Sequence, residues 1–217
     1  MALFSGNFYS KALCHDVAVI VCLPFPNKGM ALSENLDTLY PQTRRQLKTL
    51  YLLHGGLDDH TSWLRHSRVE DYAEEKGIAV VMPSGHNAFY VNTTSGEDYF
   101  TFISTELPMW AEATFPLGTR REDRFIAGLS FGGYGALRHG LAAPERYHDI
   151  GSFSGGLDID TQRADMEKGI NFVRWDSVFG GTVKGTSNDV FLLAKQCAEQ
   201  AIELPTITLA YGTADPI

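Results

Sequence analysis

Residues 124–137 read Arg-Phe-Ile-Ala-Gly-Leu-Ser-Phe-Gly-Gly-Tyr-Gly-Ala-Leu, and no other stretch constrains the fold as tightly. A short apolar run ends at Leu129, and small residues recur from Gly128 to Ala136. The pattern predicts a strand that turns abruptly into a helix. In Gly128-x-Ser130-x-Gly132 the residues two positions either side of the serine carry no side chain, as a close strand-to-helix crossing requires. Gly133, Gly135 and Ala136 extend a small face with which the helix can press on a sheet. A serine at such a turn is pushed outward, and the helix N-terminus aims N–H groups at any oxyanion formed beside it. This is the nucleophile-elbow pattern, which makes Ser130 the expected nucleophile.

The rest of the chain alternates strand and helix signals. Apolar, β-branched runs at 17–23, 47–53, 78–82, 150–154 and 206–211 predict further strands. Pro24 and Pro26 stop the first of these, and Pro83 stops the third. Helices are predicted over 63–76, closed by Gly77, over 131–143, ended by Pro144, and over 188–201. Helical spacing over 97–115 places Phe100, Ile103, Leu107 and Trp110 or Ala111 on one face, with Pro108 as a point of kinking. Residues 27–45 read as a polar loop, and 86–96 as a loop with aromatics. Residues 157–184 read as a lid or as a loop with short helices. Alternation of this kind predicts an α/β fold, a mostly parallel central sheet with helices on both faces. No repeat, linker or low-complexity tract divides the chain, so one domain over 1–217 is expected.

In such sheets a site forms beyond the C-terminal ends of the strands. Three segments fall there. Ser130 follows one strand, and His54-Gly55-Gly56-Leu57 follows another. The glycines of that loop allow close backbone approach to a substrate carbonyl. The N–H groups of Leu57 and Phe131 are the expected pair of oxyanion donors. His54 is expected to brace the loop rather than to act as a base. Asp215, after the last strand, is the expected triad acid, with Asp158 and Asp160 as second choices. The aromatics Trp63, Phe89, Tyr90, Tyr99 and Trp175 are candidates for a pocket lining, though each is more often a core residue.

The general base has no obvious source. The seven histidines, at 15, 54, 60, 66, 86, 139 and 148, all precede Asp215, whereas the order serine, acid, histidine places the base after it. The expectation is therefore a domain truncated at its C-terminus, with the histidine beyond residue 217.

Composition removes other classes. Net charge is −8, which disfavours nucleic acid or an anionic membrane as a partner. The three cysteines, Cys14, Cys22 and Cys197, have no metal-ligand spacing and do not form a complete disulfide framework. No metal site is expected. The apolar run at 17–23 is too short for a membrane span or a signal peptide, which favours the cytoplasm. A homo-oligomer is compatible with the sequence, which does not decide the oligomeric state.

These motifs resemble the esterase family that includes bacterial tributyrin esterases, S-formylglutathione hydrolases (esterase D) and the antigen 85 mycolyltransferases. The resemblance is strongest to the tributyrin-esterase branch. It rests on Leu50-Tyr-Leu-Leu-His-Gly-Gly56 with Thr61-Ser-Trp63, Val80-Val-Met-Pro-Ser84, Glu106-Leu-Pro108, residues 121–138, Ser154-Gly155 and Tyr211-Gly-Thr-Ala-Asp215. It implies an α/β-hydrolase fold, a small-molecule ester of a short acyl chain as substrate, and no cofactor. Ser130 carries over as nucleophile, Asp215 as acid, and Leu57 and Phe131 as oxyanion donors. Phe131 stands where the family commonly has methionine, and the family's histidine has no counterpart here. The implied activity is that of a serine carboxylesterase. The alternatives are S-formylglutathione hydrolysis, acetyl or feruloyl cell-wall ester hydrolysis, or a non-catalytic domain of the same fold.

Overall fold

The computed structural model describes residues 1–26, 28–41, 46–169 and 171–215. Its sheet has seven strands among these residues: β1 (Ala2–Ser10), β2 (His15–Leu23), β3 (Thr49–Leu53), β4 (Ala79–Pro83), β5 (Arg124–Leu129), β6 (Asp149–Phe153) and β7 (Thr206–Ala210). Their order is β1-β2-β4-β3-β5-β6-β7. The β1–β2 and β2–β4 pairs are antiparallel, and every pair from β4 to β7 is parallel.

Side-chain alternation sorts the strands' apolar residues onto two faces. Val21, Val81, Tyr51, Ile126, Ile150 and Ile207 stand in register across six strands, and all belong to one apolar cluster. That face is covered by α6 (Leu107–Thr114), α7 (Phe131–Ala142) and α10 (Val190–Glu199), through Leu107, Leu137 and Val190 among others. Ile20, Val80, Met82, Leu52 and Ala127 point the other way. They meet α3 (Ser62–His66) through Trp63 and α4 (Val69–Lys76) through Val69 and Ala73. Each fully buried Val, Leu or Ile contributes about 1.5–3 kcal/mol to this two-sided core.

The expected elements stand with three corrections and one addition. First, the helix expected over 63–76 is two helices, α3 and α4. They are separated by Ser67 in an extended conformation, with its hydroxyl bonded back to the Trp63 carbonyl. That bond competes with the helical ladder where the chain breaks. Second, the region expected as one kinked helix over 97–115 is a short turn, α5 (Tyr99–Thr101), then a π-helical turn over Phe102–Glu106, then α6. Pro108 has no N–H to give the Ser104 carbonyl, and Arg146 Nη1 fills that vacancy at 2.8 Å.

Third, the polar loop at 27–45 contains α1 (Lys28–Ser33) and α2 (Leu36–Leu39), the latter capped by Asn35 Oδ1 accepting from Thr38 N–H at 2.9 Å. Residues 27 and 42–45 of that loop lie outside the described residues. The addition is β1, a mostly exposed edge strand. Its hairpin turn is held by Glu106, whose carboxylate accepts from Lys11 N–H at 2.6 Å and Ala12 N–H at 3.2 Å.

Residues 157–184 contain α8 (Ile159–Lys168) and α9 (Trp175–Phe179). Thr94 Oγ1 donates to the carbonyls of Asp176 and Ser177 and fastens α9 to the neighbouring loop. Among the described residues, no helix is long and apolar enough to cross a membrane.

Candidate active site

The turn after β5 has the backbone that the glycine pattern predicts. Ser130 sits at φ 55°, ψ −114°, a conformation L-residues rarely adopt, and is half-buried. The surrounding structure holds it there. Its N–H donates to the Phe153 carbonyl at 2.9 Å, and its carbonyl accepts from Tyr134 N–H at 3.0 Å. A Cβ on Gly128 would overlap the Gly132 carbonyl, and one on Gly132 would lie 2.7 Å from the His54 carbonyl oxygen. Strand, helix and the loop after β3 therefore meet at backbone contact distance. Phe131 opens α7, so its N–H has no carbonyl within the helix to donate to.

The loop after β3 lies directly against this turn. A Cβ on Gly55 would be 3.6 Å from Ser130 Cβ, and one on Gly56 would meet the Phe131 ring at 2.9 Å. His54 is buried and makes two ring hydrogen bonds. Nδ1 donates to the Gly55 carbonyl at 2.7 Å, and Nε2 accepts from Gly85 N–H at 2.8 Å. Burial outweighs the favourable bonds and carboxylates around it and holds its pKa below 6.5. This is the bracing role expected for it.

Leu57 follows in the left-handed region, at φ 63°, with an exposed side chain. Its N–H, the expected oxyanion donor, donates to Asn87 Oδ1 at 2.8 Å. Asn87 was not singled out from the sequence.

The Phe131 ring stacks on Phe89 at 3.7 Å between centroids and on Phe172 at 5.7 Å. Of the five aromatics considered for a pocket, Phe89, Tyr90, Tyr99 and Trp175 are core residues. Trp63 packs against Phe153 and donates Nε1–H to the Leu53 carbonyl at 3.0 Å. The Tyr90 hydroxyl donates to the His54 carbonyl at 2.8 Å and so helps fix the loop.

Asp215 follows β7, two strands beyond β5, on the side of the sheet's C-terminal ends where Ser130 also lies. Its N–H closes a turn onto the Gly212 carbonyl at 3.0 Å. The second-choice acids have other work. Asp158 caps α8 by accepting from Thr161 N–H at 3.1 Å. Asp160 accepts from Thr182 Oγ1 at 2.6 Å and from the N–H groups of Val183 and Lys184, each at 2.9 Å. Burial alone would push the Asp160 carboxyl up, but these three bonds and Arg163 hold it below the usual range.

His139 is also buried. Nε2 donates to the Tyr90 carbonyl at 3.0 Å while Nδ1 has no partner among the described residues, an arrangement that suits only the neutral ring. His148 pairs with Asp149 at 2.6 Å, and no histidine bonds the Ser130 hydroxyl among the described residues.

Beside the turn, a cavity of about 210 Å³ is lined by Ser152, Ser154, Gly155, Leu157, Leu209 and Tyr211. It adjoins α7, since a Cβ on Gly133 would lie 2.9 Å from Ser152 Oγ. A second cavity, lined by Leu23, Phe25, Leu39 and Pro116 among others, lies at the opposite ends of the parallel strands, away from Ser130. No three His, Cys, Asp or Glu side chains gather as metal ligands among the described residues.

The family model described as "Putative esterase" matches residues 27–215. An acetyl esterase of Caldicellulosiruptor saccharolyticus is 32% identical over 224 residues, covering 99% of this chain and 81% of the relative. An S-formylglutathione hydrolase of Paracoccus denitrificans is 30% identical over 139 residues, covering 54% of this chain and 49% of the relative. The structure of a substrate-bound fluorophosphonate-binding serine hydrolase F of Staphylococcus aureus superposes with a TM-score of 0.85 at 28% identity. It covers 98% of this chain and 79% of that one. An S-formylglutathione hydrolase from the same organism superposes with a TM-score of 0.81 at 29% identity, covering 98% and 80%.

Proposed function

The chain belongs to the "Putative esterase" family and is a carboxylic-ester hydrolase of α/β-hydrolase fold, and from that premise we propose that it cleaves short-chain acyl esters through a Ser130 acyl-enzyme. The observation that carries the proposal is the Ser130 backbone, held at φ 55° between two glycines against the loop after β3.

In this reading Ser130 Oγ attacks the ester carbonyl and gives its proton to a histidine imidazole oriented by Asp215, a base that must be brought to the site, since none of the seven histidines among the described residues bonds the Ser130 hydroxyl. The tetrahedral oxyanion accepts from the N–H groups of Leu57 and Phe131. Each such donor contributes about 2.7–4 kcal/mol to the transition state. The imidazolium then protonates the leaving alcohol, and water cleaves the acyl-enzyme by the reverse path. His54 and His139 are not the base, because their ring bonds and burial commit them to the interior as neutral groups.

The similarity to an acetyl esterase over 99% of the chain supports a small acyl group. The test is hydrolysis of p-nitrophenyl acetate, butyrate and octanoate, with S-formylglutathione in parallel. The expected result is highest kcat/KM on acetate or butyrate and its loss by at least about a thousandfold in Ser130→Ala, with an unchanged circular dichroism spectrum. Retained activity in that variant would remove Ser130 from the mechanism, and a preference for octanoate would remove the short-chain assignment.

A further inference from the structure

The loop after β4 reaches across to the loop after β3 at three points. Gly85 N–H donates to His54 Nε2, the Tyr90 hydroxyl donates to the His54 carbonyl, and Asn87 Oδ1 accepts from Leu57 N–H at 2.8 Å. The first two contacts are buried and fix the frame of the loop. The third is different in kind. It lies at the surface, its donor belongs to no helix or strand, and its acceptor is a side-chain amide carbonyl.

An amide carbonyl oxygen is the same kind of acceptor as the carbonyl oxygen of an ester. The loop bearing Asn87 is strained, with His86 at φ 48°, Phe89 at 51° and Tyr90 at 60°. Phe89 stacks on the ring of Phe131, whose N–H is the second expected donor. One loop thus touches both donor residues and places an acceptor on one of them.

We propose that Asn87 is a latch on the oxyanion hole: in the resting enzyme its side-chain carbonyl occupies the Leu57 N–H, and the ester carbonyl oxygen must displace it to be activated. The inference rests on the assignment of Leu57 as an oxyanion donor. No covalent step is involved; one hydrogen bond is exchanged for another on the same N–H. Because a binding-competent state that is only partly populated weakens apparent affinity in proportion, the latch raises KM and tunes which acyl esters compete with it. A surface hydrogen bond of this type favours the latched state by a factor of about three to ten.

The experiment uses the full chain with Asn87→Ala and the nearly isosteric Asn87→Asp. The Leu57 amide is followed by ¹H–¹⁵N spectroscopy, and steady-state kinetics are measured on p-nitrophenyl acetate. Asn87→Ala is expected to shift the Leu57 resonance, speed its exchange with D₂O, and lower KM about three- to tenfold with little movement of kcat. Asn87→Asp is expected to act oppositely. Its carboxylate grips the N–H and repels the oxyanion, so kcat/KM falls below the parent's at neutral pH, where the imidazole base is unprotonated.

An unmoved Leu57 amide in Asn87→Ala would overturn the latch. A freed amide with unchanged or lowered kcat/KM, while Ser130→Ala still abolishes hydrolysis, would also overturn it and would leave the serine mechanism standing. Activity surviving in Ser130→Ala would instead sink the esterase mechanism on which the inference rests.

Discussion

His54 and His139 are imidazoles held neutral by the interior. His54 is braced through both ring nitrogens, and His139 stacks on Phe100 at 4.5 Å and bonds only the Tyr90 carbonyl. Burial lowers the pKa of both, with Arg138 adding to the effect on His139. Each therefore binds fewer protons folded than unfolded. Their contribution to stability is full above the unfolded value near 6.5 and is lost as pH falls through it, levelling off below the folded value. The slope is up to about 1.4 kcal/mol per pH unit for each ring. Thermal unfolding from pH 7.5 to 5 should show Tm falling below about pH 6.5. His139→Phe should flatten that fall while lowering Tm at pH 7.5 through the lost hydrogen bond. A parallel pH dependence in parent and variant would show that His139 does not titrate with unfolding. The bracing role of His54 was legible in the sequence because a histidine followed by two glycines after a buried strand has few other uses. Asn87 was not, because it acts through one side-chain oxygen on a backbone N–H in another loop, and no local pattern records that.

At the scale of elements, the β5–Ser130–α7 unit is the part read most fully. The predicted strand 124–129 is Arg124–Leu129, and the helix predicted over 131–143 is Phe131–Ala142. The information there is local: an apolar run, a serine and glycines at contact points. The edge strand β1 was missed for the converse reason. Most of its residues are exposed, and it is a strand because β2 lies beside it rather than because of its own hydropathy. The break between α3 and α4 and the π turn before Pro108 were likewise hidden, since both depend on where single hydrogen bonds go. The close crossing makes its own prediction. Gly132→Ala places a methyl group against the Leu53 and His54 carbonyls, backbone atoms that cannot yield. A loss of about 1–3 kcal/mol in urea unfolding is expected, together with a larger loss of kcat than of substrate affinity as the loop is pushed off Ser130. Near-parental stability would mean that strand and helix are less tightly apposed than described.

For the whole molecule, strand order brings the candidate residues together. β3 and β5 are neighbours, so the loops carrying Leu57 and Ser130 meet. β6 and β7 then carry the chain to Asp215 along the same end of the sheet. The mostly parallel sheet with helices on both faces was legible from the alternation of strand and helix signals, as was the gathering of Ser130, the loop after β3 and Asp215 at the strands' C-terminal ends. The relation of the chain to the esterase family follows from the same segments, and the family match extends over residues 27–215. The proposed mechanism requires Ser130 to be an activated nucleophile. The most direct test is intact mass spectrometry before and after reaction with a fluorophosphonate, followed by peptide mapping. A single adduct is expected, on Ser130, and none in Ser130→Ala. No adduct on the folded chain, or an adduct on another residue, would contradict the mechanism.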